Sequence, residues 1–416
     1  MGAPASDTDR GSSRGWGVIV SYSLVCAGTQ LLWLTYAPID TESAHFYGVS
    51  VSAIGWLAEI FPLLYVVLAI PAGRLLDSHF RPALASGAGL MAAGGVLRLG
   101  GQTFAWAMAG QLAVAVAQPV ILSAVGKLAG DYLPEDQRPA GIAVGSAGSF
   151  AGMLFALILG PTLGAHGHIE RLLVLEATLG VLAALALAAA LRRPVREGEE
   201  RAAIEGGAAR ALWALPAMRT LCGLVFVGFG VFVALATWLQ ALLHPSGVSE
   251  QSAGALLVGM IIAGMIGCAV LPPLLARRDA ERTFMRAAVL VGAFGCLALG
   301  TVSLLGARAA VIALMGFFLL PALPIVLTVA ERLAGAAAGT AGAIVWMAGN
   351  LGGLVVALVV QILVHDPFAA FLAMAAISLL GLPLAARFPS LAGVLGGEGP
   401  SSADRQAAIR AGGEVA

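Results

Sequence analysis

The sequence predicts an all-α membrane protein whose twelve transmembrane helices form two pseudo-symmetric bundles of six. Three observations carry this prediction: apolar stretches of spanning length recur along the chain, basic residues are confined to one side of them, and part of the first half recurs in the second. Hydrophobic residues make up 59% of the 416 residues and charged residues only 11%, whereas soluble domains carry roughly 25% charged residues. We therefore expect a lipid bilayer to surround most of this chain.

Twelve apolar segments are long enough to cross the hydrocarbon core, which takes about 20 helical residues. Short polar breaks separate them, and we place them at residues 17–39, 51–73, 83–100, 104–129, 139–162, 171–191, 217–243, 251–275, 285–304, 309–330, 338–364 and 367–387. The first segment is longer than the apolar core of a signal peptide and lacks a clear cleavage site, so we expect a retained helix.

Basic residues fall almost entirely on one side of these segments. Twenty of the 23 Lys and Arg residues lie in the tails or in the loops on the side of the N-terminus, and the other three are Arg98, Arg171 and Arg308. Cytoplasmic loops of membrane proteins carry such an excess of positive charge. We therefore expect a multi-pass protein of the cell inner (cytoplasmic) membrane with both termini in the cytoplasm.

The longest polar interruption divides six segments from six. It combines basic and acidic residues with Gly206 and Gly207, which is typical of a linker. The regions that we expect are a cytoplasmic N-terminal tail (1–16), an N-terminal six-helix bundle (17–191), a cytoplasmic linker (192–216), a C-terminal six-helix bundle (217–387) and a cytoplasmic C-terminal tail (388–416).

An internal repeat relates the two halves. Residues 140–159 align with residues 341–360 at a constant offset of 201 positions, and 8 of the 20 positions are identical. Small residues dominate the matches, so the abundance of glycine, with 54 in the chain, is the alternative explanation. Two related halves with a substrate site at mid-membrane are typical of secondary transporters. Because small residues permit close helix contacts, we expect these positions at a sliding interface between the halves.

A charged motif follows the second segment. Gly73, Asp77 and Arg81 are spaced as in the loop between helices two and three of the major facilitator superfamily, which this segment resembles. The resemblance implies the major facilitator fold and a gating loop whose aspartate caps a helix N-terminus of the other half. A carboxylate suits that position because the first amides of a helix lack partners and carry partial positive charge. The alternative is a set of solvated charges that serve only to orient the chain.

A closer resemblance begins in the first helix. The motifs that carry it are Trp33-Leu-Thr-Tyr36, His45-Phe-Tyr-Gly-Val-Ser50, Ala53-Ile-Gly-Trp-Leu57, Gly110-Gln-Leu112 and Val116-Ala-Gln118. They are similar to the feline leukaemia virus subgroup C receptor branch of the superfamily, which is linked to choline, ethanolamine or haem transport. The resemblance implies that a quaternary ammonium is held between a Trp of helix one and a Tyr of helix seven, with glutamines from helices four and eleven.

That pattern selects the candidate substrate-binding residues. Trp33 matches the tryptophan and Gln118 the first glutamine, whereas Val233 stands in place of the tyrosine and Asn350 in place of the second glutamine. Trp346 lies one helical turn before Asn350 and is a candidate for a replacement aromatic wall. An aromatic face attracts a cation through its quadrupole. For Asn350, a helix-to-helix hydrogen bond is the alternative role.

Glu59 lies eight residues inside the second segment. Because an unpaired carboxylate is costly in hydrocarbon, we expect it to couple transport to a proton or cation, or to pair with a cationic substrate. The alternative is an ion pair with Arg98.

Other function classes lack their signatures. No grouping of His and Cys has metal-ligand spacing, and the segment around Lys127 lacks the pattern of a phosphate-binding loop. We therefore expect no enzyme activity, no metal and no cofactor. The expected partners are a small-molecule substrate and the lipid bilayer, without nucleic acid, and we expect a monomer.

These observations predict a secondary active or facilitative transporter that moves a small, cationic or amphipathic molecule by alternating access. Two alternatives remain open: a membrane ligand sensor or receptor that does not transport, and a proton-coupled transporter of an organic anion or drug.

Overall fold

The computed structural model describes residues 7–164, 168–192, 207–276, 278 and 280–389, which fold almost entirely as helices. In chain order the α-helices are α1 Asp7–Leu34, α2 Asp40–Tyr47, α3 Val51–Ser78, α4 Phe80–Leu97, α5 Phe104–Ser123, α6 Val125–Tyr132, α7 Arg138–Leu159, α8 Ile169–Ala190, α9 Ala208–Ala214, α10 Pro216–Leu243, α11 Glu250–Ala276, α12 Glu281–Thr301, α13 Leu305–Leu319, α14 Ala322–Ala334, α15 Ala338–Ile362 and α16 Pro367–Ala386.

The long helices among these form twelve membrane crossings. Within the described residues, ten helical stretches are long and apolar enough to span a membrane. One of them, residues 305–362, contains two crossings, because α13 and α14 form the first and α15 the second. Helix α4 supplies the remaining one; it is not among the ten because Arg81, Pro82 and several glycines dilute its hydrophobicity. The prediction of an all-α protein with twelve membrane helices is confirmed.

Several helices extend beyond the apolar segments that predicted them. Helix α1 begins at Asp7, and α3 continues to Ser78, so that only His79 separates it from α4. The boundaries differ because hydrophobicity marks the thickness of the bilayer, whereas backbone hydrogen bonding continues into the polar flanks. The predicted linker contains helix α9. Its residues 193–206 lie outside the described residues, as do residues 1–6 and 390–416 of the predicted tails.

The fourth crossing is broken between α5 and α6 at Ala124. The Tyr22 hydroxyl of α1 donates a hydrogen bond to the Ile121 carbonyl at 2.8 Å, and the Ala124 amide contacts the same oxygen at 3.3 Å. A side chain that enters the backbone ladder in this way interrupts the helix. The tenth crossing is divided similarly between α13 and α14, just before Pro321.

The chain divides into two compact units, Met1–Ala202 and Ala203–Ala416. Corresponding helices pack together in each of them. In the first unit α1 packs against α7 and α8, α3 against α5, and α4 against α5 and α8. In the second unit α10 packs against α15 and α16, α11 against α13, and α12 against α13 and α16. The internal repeat therefore extends from the sequence to the packing within each unit.

The repeated small residues hold helices of the same unit together. Gly148 and Gly152 of α7 face the backbone of α1, where an added Cβ would collide with Ser23 and Ala27. In α15, Gly353 is the residue that matches Gly152, and its neighbour Gly352 faces the backbone of α10, where an added Cβ would collide with Phe226. Their expected place at a sliding interface between the halves stays a prediction. Their small size is needed for close packing inside each bundle.

Candidate substrate-binding site

Trp33 lies near the end of α1, and its indole is anchored to the neighbouring helix. Its Nε1–H donates to the carbonyl oxygen of Ala58 in α3 at 2.9 Å. That oxygen is available because Pro62, four residues later in the same helix, has no backbone N–H to donate to it. The Trp33 ring is half-buried and lies 6.1 Å from the Phe61 ring, at 38° between planes.

Gln111 of α5 forms hydrogen bonds to the backbone on both sides of this contact between α1 and α3. Its side-chain nitrogen contacts the Trp33 carbonyl at 3.4 Å and donates to the Leu57 carbonyl at 3.2 Å. The residue is fully buried in α5. Sequence reasoning did not rank Gln111 above the other glutamines. The available signal was its spacing: it precedes Gln118 by seven residues and so lies on the same face of the helix.

Glu59 follows Ala58 directly but points elsewhere. Its side chain is exposed, on a face of α3 that also includes Trp56, Leu63 and Val67. Glu59 forms no ion pair or hydrogen bond with any residue of the described chain. The alternative role as the ion-pair partner of Arg98 is wrong, because Arg98 pairs with another carboxylate.

Gln118 is 4% exposed within α5, and its side-chain nitrogen has no hydrogen-bond partner among the described residues. An amide N–H without a partner in a buried position is costly. The group is therefore suited to donate to an oxygen of a bound molecule.

The three candidates of the second unit lie between α10 and α15. The Asn350 side-chain nitrogen donates to the Trp346 carbonyl, one turn earlier in its own helix, at 2.9 Å. The Trp346 ring is only 3% exposed and packs edge-on against Phe229 at 5.7 Å. Val233 is half-buried over Gly353. Trp346 and Val233 therefore contribute mainly to packing between these two helices in this conformation.

A buried ion pair lies in the first unit. Arg98, at the end of α4, donates to Glu176 of α8 with 3.0 Å between Nη2 and Oε2, and both side chains are 0% exposed. Arg98 Nη1 donates to the Thr35 hydroxyl at 2.8 Å, and that hydroxyl donates to Glu176 Oε2 at 2.7 Å. The three side chains form a closed triangle that joins three helices. Arg98 Nε and Glu176 Oε1 have no partner among the described residues.

Aromatic residues cover this triangle. The Arg98 guanidinium lies 5.8 Å from the centre of the Tyr36 ring. The Tyr36 hydroxyl is hydrogen-bonded to that of Tyr47 in α2 at 3.1 Å. Gly110 of α5 leaves room for the Arg98 stem, where an added Cβ would collide with it. Sequence reasoning missed this cluster, although opposite charges in two membrane segments are expected to pair.

The predicted gating residues are not in a loop. Gly73 and Asp77 lie in the last turns of α3, and Arg81 lies in the first turn of α4. Gly73 is buried, whereas Asp77 and Arg81 are half-buried. Arg81 lies close to the Tyr132 hydroxyl at the end of α6. Nearby, the ammonium of Lys127 lies 5.8 Å from the centre of the Phe80 ring.

Comparison with known proteins assigns the family. The family model described as Major Facilitator Superfamily matches residues 18–357. This chain belongs to that superfamily. Members of this family are transporters, and the match to the family model confirms the predicted major facilitator fold.

Among curated members of the superfamily, this chain is 27% identical over 325 residues to solute carrier family 49 member A3 of Danio rerio, which covers 73% of this chain and 67% of that protein. It is 29% identical to the human choline/ethanolamine transporter FLVCR2 over 156 residues, or 36% of this chain and 30% of that one. The feline choline/ethanolamine transporter FLVCR1 is 31% identical over 166 residues, 39% and 30% of the two chains. The resemblance to this branch is confirmed.

Solved major facilitator structures share the fold. The crystal structure of the human organic anion transporter MFSD10 (TETRAN) matches with a TM-score of 0.72 at 17% identity, over 89% of this chain and 99% of that one. The Escherichia coli fucose:proton symporter FucP matches with a TM-score of 0.67 at 16% identity, over the same shares. At such identities these matches concern the fold alone.

Proposed function

We propose that this major facilitator protein transports a small organic cation of the choline or ethanolamine type by alternating access. Membership of the superfamily supports transport. The partial relatives named as choline/ethanolamine transporters support the substrate class. The aligned part covers less than a third of the FLVCR2 chain. The proposed substrate class therefore depends on the geometry of Trp33, Gln118 and Glu59 in this chain.

The geometry of Trp33 is the observation that carries the substrate class. Its only polar group, the indole N–H, is already bonded to the Ala58 carbonyl. What the half-buried ring can still offer a ligand is its π surface. A cation over the face of a tryptophan gains about 0.5–2 kcal/mol, depending on how far it is desolvated, whereas a neutral solute of the same shape gains only apolar contact.

Two polar residues complete the proposed site in the first unit. Gln118 has a side-chain nitrogen without a partner in the described structure, and we assign it the role of donor to a substrate hydroxyl or other oxygen. Glu59 places a carboxyl group one residue beyond the carbonyl that anchors Trp33. We propose that Glu59 either carries the coupling proton or cation or attracts the cationic substrate.

The remaining predicted roles are assigned on the family pattern. Val233 and Asn350 stand where the related branch has the tyrosine and the second glutamine, and we propose Trp346 as a replacement aromatic wall. Gly73, Asp77 and Arg81 occupy the positions of the gating motif. We also propose that the protein is a monomer of the cell inner membrane with both termini in the cytoplasm, in line with the distribution of its basic residues.

Counterflow in proteoliposomes tests this function. Vesicles loaded with unlabelled choline or ethanolamine should take up the labelled compound transiently. Replacement Trp33→Leu should weaken this exchange strongly, whereas Trp33→Phe, which keeps an aromatic face, should retain part of it. Binding of choline without counterflow would support a sensor and overturn transport. Counterflow of organic anions but not of amines would overturn the substrate class.

A further inference from the structure

Trp33 is held at two points, and its ring has little freedom to turn. The first point is the side chain, which donates to the Ala58 carbonyl that Pro62 leaves without a helical partner. Pro62 thus does more than interrupt the hydrogen bonding of α3, because it leaves unpaired the carbonyl group that accepts the indole hydrogen bond.

The second point is the backbone. The last four carbonyl groups of a helix have no partner within it, and Trp33 is the penultimate residue of α1. Gln111 reaches this carbonyl and also that of Leu57. One amide group thus ties the end of α1 to α3, one residue before the carbonyl that holds the indole.

We propose that Gln111 and the carbonyl freed by Pro62 are positioning groups that fix the angle of the Trp33 ring and thereby set its preference for quaternary ammonium ligands over neutral ones. This inference rests on the proposed function. Attraction between a cation and a ring requires the cation to lie over the ring face within about 6 Å. A ring that turns loses this attraction but keeps its apolar contact, because apolar contact has no direction.

A purely structural role for Pro62 and Gln111 predicts a different effect on ligand binding. If Pro62 served only to bend α3, and Gln111 only to join helices, their loss would weaken binding of every ligand equally. The loss would also not depend on whether residue 33 carries an N–H group. These differences make the two accounts separable.

The first experiment needs no substrate. Protein labelled with ¹⁵N-tryptophan in lipid nanodiscs gives indole N–H signals from its seven tryptophans, and Trp33→Phe identifies the signal of Trp33. Replacement Pro62→Ala supplies a backbone N–H that competes for the Ala58 carbonyl. The Trp33 signal should shift, and its proton should exchange faster with water. An unchanged signal would overturn the anchor.

Pro71→Ala is the matched control. Pro71 lies in the same helix and frees the Val67 carbonyl in the same way, but Val67 lies on the exposed face of α3 and its carbonyl accepts no side-chain hydrogen bond among the described residues. This replacement should leave the Trp33 signal where it is. A shift of equal size in both variants would mean that the signal reports the bending of α3, and would overturn the anchor.

The second experiment is a double-mutant cycle on ligand affinity. Pro62→Ala should lower the affinity for choline about five-fold, as expected when part of the attraction between cation and ring is lost, and should leave that for its neutral isostere 3,3-dimethyl-1-butanol nearly unchanged. In a Trp33→Phe background, Pro62→Ala should have no further effect, because phenylalanine has no N–H. An equal loss in both backgrounds would overturn the proposal.

Gln111→Met removes the amide but keeps the length of the side chain. It should raise the half-saturation concentration for choline while leaving the maximal exchange rate unchanged, and a loss confined to the maximal rate would count against a positioning role. If wild-type protein binds neither ligand, the proposed function fails, while the indole signal still decides the anchor. If choline binds and the indole signal does not move, the function stands and this inference fails.

Discussion

Arg98 and Glu176 form an ion pair with 3.0 Å between Nη2 and Oε2 and with both side chains fully buried. Arg98 directly follows helix α4 and Glu176 lies in α8, and the hydroxyl of Thr35, which directly follows α1, bridges them. Loss of one partner leaves an uncompensated charge in a buried position, which is far more costly than loss of both.

The first prediction concerns this pair. Arg98→Met or Glu176→Gln alone should lower the free energy of unfolding by about 3–5 kcal/mol, and the double variant should recover a large part of that loss. Thermal unfolding in detergent, followed by fluorescence, measures the effect. Glu170→Gln, an exposed position of the same helix, is the control and should change little. A double variant no better than the worse single one would contradict a paired charge.

The second prediction concerns the bridging hydroxyl. Thr35→Val keeps the shape of the side chain but leaves Arg98 Nη1 and Glu176 Oε2 each without one partner. We expect a loss of about 1–3 kcal/mol in stability. Thr35→Ser keeps the hydroxyl and should lose much less. Thr178→Val removes an exposed hydroxyl that bonds only within α8 and should be close to neutral in the same assay.

The third prediction concerns helix packing. Gly152→Ala in α7 places a methyl group against the Ala27 carbonyl of α1. Overpacking of this kind costs about 1–3 kcal/mol, and the melting temperature should fall accordingly. Gly259→Ala in α11 is the control, because no atom lies within 4 Å of the added Cβ. Equal melting temperatures for the two variants would show that α1 and α7 can separate without cost.

The fourth prediction concerns Glu59. Because this side chain has no partner among the described residues, Glu59→Gln should leave the melting temperature unchanged. If the carboxylate carries the coupling proton, the variant should lose uptake driven by a pH gradient and retain counterflow exchange. Both reactions are measured in the same proteoliposomes, with Glu170→Gln as the control. An equal loss of both would assign Glu59 to substrate binding instead.

The sequence was sufficient to predict the number of membrane crossings and the repeat that relates them. Hydrophobic length marks each membrane crossing, and the offset between residues 140–159 and 341–360 survives as matching helix pairs in the two units. Such features are local or periodic, and so a single chain displays them without knowledge of the packing.

Partners across the fold were harder to predict. Arg98 and Glu176 are 78 residues apart in the chain, and Thr35 and Glu176 are 141 apart. Hydrocarbon surroundings dictate that such groups are paired but leave the choice of partner to packing. The same holds for Trp33, whose indole partner depends on a proline 29 positions later that leaves a carbonyl available. The sequence therefore indicated which groups need partners, whereas the packing determined which partners they have.

The short connection between α3 and α4 has a consequence for biosynthesis. Only His79 separates the two helices, and α4 is weakly hydrophobic, so we expect the translocon to admit them together as a hairpin. Arg98 then enters the bilayer before the ribosome has made α8. Nascent chains that end before Ile169 should therefore be degraded quickly in cells, and Arg98→Met should prolong their half-life. Completion of α8 would be the step at which the first unit escapes quality control.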